Sequence, residues 1–208
     1  RPRRCRIPAH VHGNHPSPPG DLIAVSSALE LVPNDRPWTV EDLERLPYDG
    51  NRYEITNGSL LVTPAPAIPH VVITANLAWA LRASAPKDLA VIPTGAGIQL
   101  RRSMYIPDIV VVHAAATTRE GKLFDVSDVV LVVEVLSPSN AGTDLVLKRH
   151  DYAADGITWY WIVDPKAQTL TVLENSDGSY VERKIVQPGT NWTTDQPFRF
   201  SIDPATLR

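Results

Sequence analysis

The run Val129-Val130-Leu131-Val132-Val133-Glu134-Val135-Leu136 constrains this chain most, because its only polar side chain is an acid. Aliphatic and β-branched residues in an unbroken row read as a strand buried on both faces. A carboxylate there without a partner costs several kcal/mol, so Glu134 needs a cation or a hydrogen-bond donor. A second run, Ile106-Pro107-Asp108-Ile109-Val110-Val111-Val112, repeats the theme. Asp108 stands at its mouth, directly after a proline that has no N–H to give to a ladder. If the two strands are neighbours, both acids converge and offer two hard oxygen ligands to Mg2+ or Mn2+. The plainer alternative has Asp108 capping a turn and Glu134 paired with Lys148 or Arg149.

Around these runs the pattern alternates between helix and strand signals. Thr39 to Leu46 reads as a short helix with Thr39 as N-cap and Asp42 closing an imperfect capping box. Arg52 to Thr56 and Ser59 to Val62 flank Asn57-Gly58, a pair that adopts positive φ at low cost and so predicts a β-hairpin. His70 to Ser84, entered through Pro69, spaces its apolar residues as a core-packing helix. Strands follow at Leu89 to Pro93, Gly97 to Leu100, Tyr105 to His113 and Asp128 to Leu136. A helix is expected over Asp144 to Ala154, then strands Thr158 to Val163, Thr169 to Glu174 and Tyr180 to Ile185. This order predicts an α/β (α+β) domain with a central mixed β-sheet flanked by helices. Trp159, Trp161 and Trp192 near its end are expected in the core.

Residues 1–37 read as a mostly disordered N-terminal tail, and 38–208 as the folded domain. The first 20 residues hold five prolines, four arginines and three histidines without periodicity. His10, His12 and His15 there are read as incidental, not as a metal site. With 43% apolar and 21% charged residues, the 208-residue chain has the composition of a globular protein. A single cysteine, Cys5, excludes an internal disulfide and a cysteine-based zinc site. No apolar run approaches the roughly 18 residues that span a bilayer, so no membrane association and a cytoplasmic location are expected. The formal net charge of −3 gives no overall attraction for nucleic acid, and any DNA contact must be local.

Several stretches together resemble the Uma-type family of restriction-endonuclease-like proteins, in the PD-(D/E)XK nuclease superfamily. They are Tyr53-Glu54-Ile55 with Asn57-Gly58, Pro64-Ala65-Pro66 then His70, Pro107-Asp108, Glu134-Val135-Leu136-Ser137-Pro138-Ser139, Lys148, Tyr152, and Trp159-Tyr160-Trp161-Ile162-Val163-Asp164-Pro165. The likeness covers roughly residues 38 to 200. It implies a restriction-endonuclease-like core and a metal-dependent phosphodiesterase activity; the expected function is Mg2+- or Mn2+-dependent endonucleolytic hydrolysis of DNA, with Asp108 and Glu134 as metal ligands.

One departure is plain. The motif lysine belongs two residues after Glu134, on the same strand face, and Leu136 stands there. Lys148 is the expected replacement, on a helix that carries Asp144 and Tyr152 four residues to either side. Glu54 is the candidate third carboxylate. His70, at the head of the long helix, is a candidate for binding phosphate. The alternatives are a catalytically inactive nuclease-fold module for protein contacts or self-association, and a hydrolase of smaller phosphoesters marked by a closed pocket; in each case a homo-oligomer, a dimer, is expected.

Overall fold

A computed structural model describes residues 36–93, 95–137 and 143–208, with side chains from residue 146 onward in the last stretch. The expected tail up to residue 35, its histidines, Pro138-Ser139 and the side chain of Asp144 lie outside the described residues.

The central sheet has six strands. These are β3 (Leu89–Pro93), β6 (Ile109–His113), β8 (Val129–Val135), β9 (Trp159–Asp164), β10 (Thr169–Ser176) and β11 (Ser179–Val186), in the spatial order β11-β10-β9-β8-β6-β3. Among the described strands of this sheet only β8 and β9 run parallel, and helix α3 (Thr143–Ala154) makes the crossover that a parallel pair requires. This is the mixed sheet that the element order predicts.

Side-chain parity assigns the two faces. Ile109, Val111, Leu131, Val133 and Trp161 pack against Ile73, Leu77 and Leu81 of α2 (Ile68–Ser84). Val110, Val112, Val132 and Tyr160 pack on the other side with Tyr152 and Ala153 of α3. Both apolar runs are therefore covered on both faces, as their composition requires. Trp161 is fully buried against Phe200 and Trp192, which assigns the tryptophans to packing. The outer side of α2 stays apolar, with Ile68, Val71, Val72 and Trp79 exposed. Among the described residues no helix is long and apolar enough to cross a membrane.

A second sheet was not foreseen. Strands β1 (Arg52–Thr56), β2 (Ser59–Thr63), β4 (Gly97–Gln99), β5 (Met104–Tyr105) and β7 (Leu123–Asp125) form it in the order β2-β1-β5-β4-β7. Its first hairpin turns at Asn57 and Gly58, with φ of 48° and 78° as the Asn-Gly pair predicts. A Cβ on Gly58 would also sit 2.9 Å from Pro37. The single strand expected from Tyr105 to His113 is instead two. Pro107 cannot donate to a ladder, and the Ile106 N–H donates to the Glu54 carboxylate, so pairing stops there. That break sends β5 to the second sheet and leaves Asp108 at the entrance of β6. A small hairpin, β12 (Trp192–Thr194) with β13 (Phe200–Ile202), completes the strands. The short helix α1 (Val40–Leu43) has its capping box between Thr39 and Asp42.

A buried polar knot ties α3 to the second sheet. Asp151 Oδ2 accepts from Ser103 Oγ at 2.8 Å and from Tyr105 OH at 2.7 Å, and that phenol lies 2.9 Å from Thr56 Oγ1. Hydrogen bonds to a charged acceptor contribute about 1.5–3 kcal/mol each, so Asp151→Ala is expected to lower stability by about 2–3 kcal/mol. Urea unfolding at neutral pH measures it, and an unchanged midpoint would show the knot to be inert. Burial opposes ionisation of Asp151, but the Tyr105 and Ser103 donors outweigh it and lower its pKa. Its contribution is therefore present above the ordinary carboxylate value and fades as pH falls through the lowered one.

Candidate active site

The antiparallel register pairs Ile109 with Val133, and one residue further it sets Asp108 opposite Glu134. Asp108 and Glu134 are 2% and 4% exposed, so both carboxylates are inside the protein. Lys148 projects from α3 with its Nζ 3.1 Å from Glu134 Oε1 and 3.0 Å from Glu54 Oε1. Tyr152, one helical turn on, donates its hydroxyl to the same Glu134 oxygen at 3.2 Å. Lys148 therefore puts an ammonium against Glu134 although Leu136 occupies the motif position. It also lies 5.2 Å from the centre of the Tyr105 ring, an attractive cation–π arrangement.

Asp108 is held from three directions. Its Oδ2 accepts the Val135 N–H at 2.8 Å and lies 3.0 Å from His70 Nε2. That nitrogen is also 3.1 Å from the Val135 carbonyl oxygen, and since both neighbours are acceptors, Nε2 carries the proton. Oδ1 faces Arg52, whose nearest nitrogen is 3.3 Å away. Arg52 also donates to the Ile106 carbonyl at 3.1 Å. All five residues expected at a site from the sequence, Asp108, Glu134, Lys148, Glu54 and His70, are thus brought together. The pairing of Glu134 with Lys148 is equally what the plainer alternative foresaw.

Arg52 and Tyr152 complete the cluster, and Arg52 had no assigned part in it. A signal was available, since Arg52, Glu54 and Thr56 alternate along β1 and so share one face. That face meets Asp108, Lys148 and Tyr105 in turn.

The charge balance explains the titration of the cluster. Three carboxylates, Asp108, Glu134 and Glu54, face two permanent cations, Lys148 and Arg52, which leaves one negative charge unless His70 is protonated. Burial raises Glu134 to about 7, against the opposing pull of Lys148, and the charges of Asp108 and Glu54 push the same way as burial. Burial disfavours the Lys148 ammonium, but Glu134 and Glu54 outweigh it and hold its pKa above the ordinary lysine value. Asp108 is lowered despite burial, through the His70 hydrogen bond and charge, the Val135 N–H and Arg52. His70 is raised by the same Asp108, against burial. Its other ring nitrogen, Nδ1, is buried without a hydrogen-bond partner.

As a donor set, Asp108 and Glu134 fit a hard divalent cation. Mg2+ is commonly held by one or two carboxylates and fills its shell with water and substrate phosphate. Among the described residues no group of three or more His, Cys, Asp or Glu side chains is arranged to hold a metal ion. The two carboxylates therefore meet the lower requirement and not that of an all-protein cage.

Sheet order and topology define the class as a restriction-endonuclease-like nuclease fold. A crystal structure of "a putative nuclease belonging to DUF820" from Anabaena variabilis superposes with a TM-score of 0.67 at 18% sequence identity, covering 82% of this chain and 97% of that one. The Uma2 family model, described as "Putative restriction endonuclease", matches residues 40–206, and the chain belongs to that family. No curated protein matches.

Proposed function

We propose that this protein is a metal-dependent endonuclease that hydrolyses DNA phosphodiester bonds at the Asp108–Glu134 pair. The observation that carries the proposal is the Lys148 ammonium at 3.1 Å from Glu134, delivered by a helix in place of the missing strand lysine. Mg2+ or Mn2+, when bound by Asp108 and Glu134, supplies a more acidic water and neutralises charge on the phosphate.

The chain's own groups do the rest. Lys148 stays protonated, so it acts as a fixed positive donor that steadies the charge developing on the phosphoryl oxygens and does not act as a base. Glu54 provides a second anchor for that ammonium, so Lys148 would keep its place with Glu134 holding an ion. His70 donates through Nε2 to Asp108, fixing the orientation of the carboxylate. The Val135 N–H and Tyr152 hydroxyl limit the rotamers of Asp108 and Glu134.

Asp108→Asn keeps the shape of the side chain and removes its charge. Nicking of supercoiled DNA in Mn2+ is expected to fall about 100-fold, together with loss of Mn2+ binding by calorimetry. Wild-type nicking that persists in excess EDTA would overturn the proposal. A second reading, a non-catalytic nuclease-fold module, draws support from the engagement of all three carboxylates by protein cations and from the exposed apolar side of α2. In that case no metal supports nicking, and Trp79→Ser disrupts self-association measured by light scattering.

A further inference from the structure

A cavity of about 630 Å3 lies between α1, the start of β1 and the β4–β5 region, and two of its lining residues, Arg52 and Ile106, separate it from the carboxylates. Arg52 holds Asp108 Oδ1 at 3.3 Å, and the Ile106 N–H holds Glu54 Oε1 at 2.6 Å. A group seated in this cavity is thus one side chain away from the proposed reaction centre. Its size falls within the roughly 300–1,000 Å3 typical of small-ligand clefts.

The lining selects for a flat ring with a polar edge and an attached anion. Tyr48 is fully exposed at this wall and contributes nothing to the core. Tyr53 is anchored through its hydroxyl to Asp49 Oδ2 at 2.8 Å, and Asn51 donates its side-chain amide to the same oxygen at 3.0 Å, leaving its carbonyl as an acceptor. Lys122 also lines the cavity. Its ion pair with Glu44 joins two exposed side chains, and such pairs are released at little cost. Aromatic faces, a hydrogen-bonding amide and two cations together match a nucleobase carrying its phosphate.

We propose that this cavity receives one unpaired nucleobase of the strand to be cut, with Tyr48 as the stacking surface and Arg52 directing the adjoining phosphate to the carboxylates. The substrate class follows from the geometry: a base still stacked in duplex DNA cannot enter, so single strands, frayed ends and distorted sites are cut in preference to continuous duplex. This inference rests on the nuclease reading of Asp108 and Glu134 for its placement of the phosphate.

The test uses the full chain in EDTA, so that binding is read without cleavage. A fluorescein-labelled single strand of about 12 nucleotides is compared with its blunt duplex by anisotropy, for the wild type and Tyr48→Ala. The single strand is expected to bind about tenfold more tightly than the duplex, and Tyr48→Ala to lose about tenfold for the single strand with duplex binding unchanged. Because Tyr48 is fully exposed, this substitution leaves the fold intact, which an unchanged Tm verifies. Equal affinity for the two forms, or a Tyr48→Ala protein that binds the single strand as the wild type does, overturns the inference. If Mn2+ then supports metal-dependent cutting of both forms at equal rates without regard to Tyr48, the cavity has no role and the nuclease reading stands. If the single strand binds through Tyr48 and neither Mg2+ nor Mn2+ supports cutting, the cavity is a nucleotide site and the nuclease reading falls.

Discussion

Lys148→Met is expected to destabilise the protein by about 3–5 kcal/mol at about pH 8, the range found when one partner of a buried ion pair is removed. Methionine fills much of the space of the lysine stem, so the loss is electrostatic. Glu54 and Glu134, 2% and 4% exposed, would share the interior with no ammonium between them. Carboxylates stranded in this way take up protons, so the penalty shrinks as pH falls. Urea unfolding near pH 8 and near pH 5 reads both the size and its pH dependence. A triple variant with Glu54→Gln and Glu134→Gln beside Lys148→Met should recover most of the stability, because uncharged groups no longer need the cation. An equal loss at both pH values would show that Lys148 matters through its packing.

Glu134→Gln is expected to move stability and activity in opposite directions. Two carboxylates share one ammonium, and the glutamine leaves a balanced Glu54–Lys148 pair while keeping an acceptor for Lys148 and Tyr152. Wild-type Glu134 is raised from 4.5 to about 7, so the folded state holds a proton that the unfolded chain gives up. The stability linked to that proton is complete below about pH 4.5 and is lost as pH rises through about 7. The glutamine variant lacks this slope and should exceed the wild type by on the order of 2 kcal/mol near pH 8. Cleavage should fall about 1,000-fold, since the carboxylate proposed to hold the ion is gone. A variant that is both less stable and fully active would contradict the charge balance and the site assignment together.

Features with a strong local signature were legible in the sequence. The spacing of Ile73, Leu77 and Leu81 marks α2, and the aliphatic runs around Asp108 and Glu134 mark the two central strands. The need of a buried acid for a partner pointed to Lys148 or Arg149, and the structure selects Lys148. The second sheet was harder to foresee: β4 was expected as a strand, but β5 and β7 have two and three residues, too few to show a period of two. The division of the strand expected at Tyr105 to His113 was signalled by Pro107, but the acceptor that draws away the Ile106 N–H is Glu54, distant in sequence. The Ser103–Tyr105–Asp151 knot was silent for the same reason, since each of its residues is unremarkable alone and its partners lie 46 and 48 residues apart.

The cluster spans a seam. Arg52 and Glu54 belong to the second sheet, Asp108 and Glu134 to the central one, and Lys148 to the helix between β8 and β9. The ion pairs are therefore also the rivets between layers. With Glu54 and Asp108 2% exposed and Glu134 4% exposed, an ion or a phosphate that meets them as proposed does so when the layers part. The frequency of that breathing sets a ceiling on the rate of any chemistry performed there, however reactive the groups inside. Amide protons along β1 should report it, exchanging faster than those of β8 by the free energy of the opening.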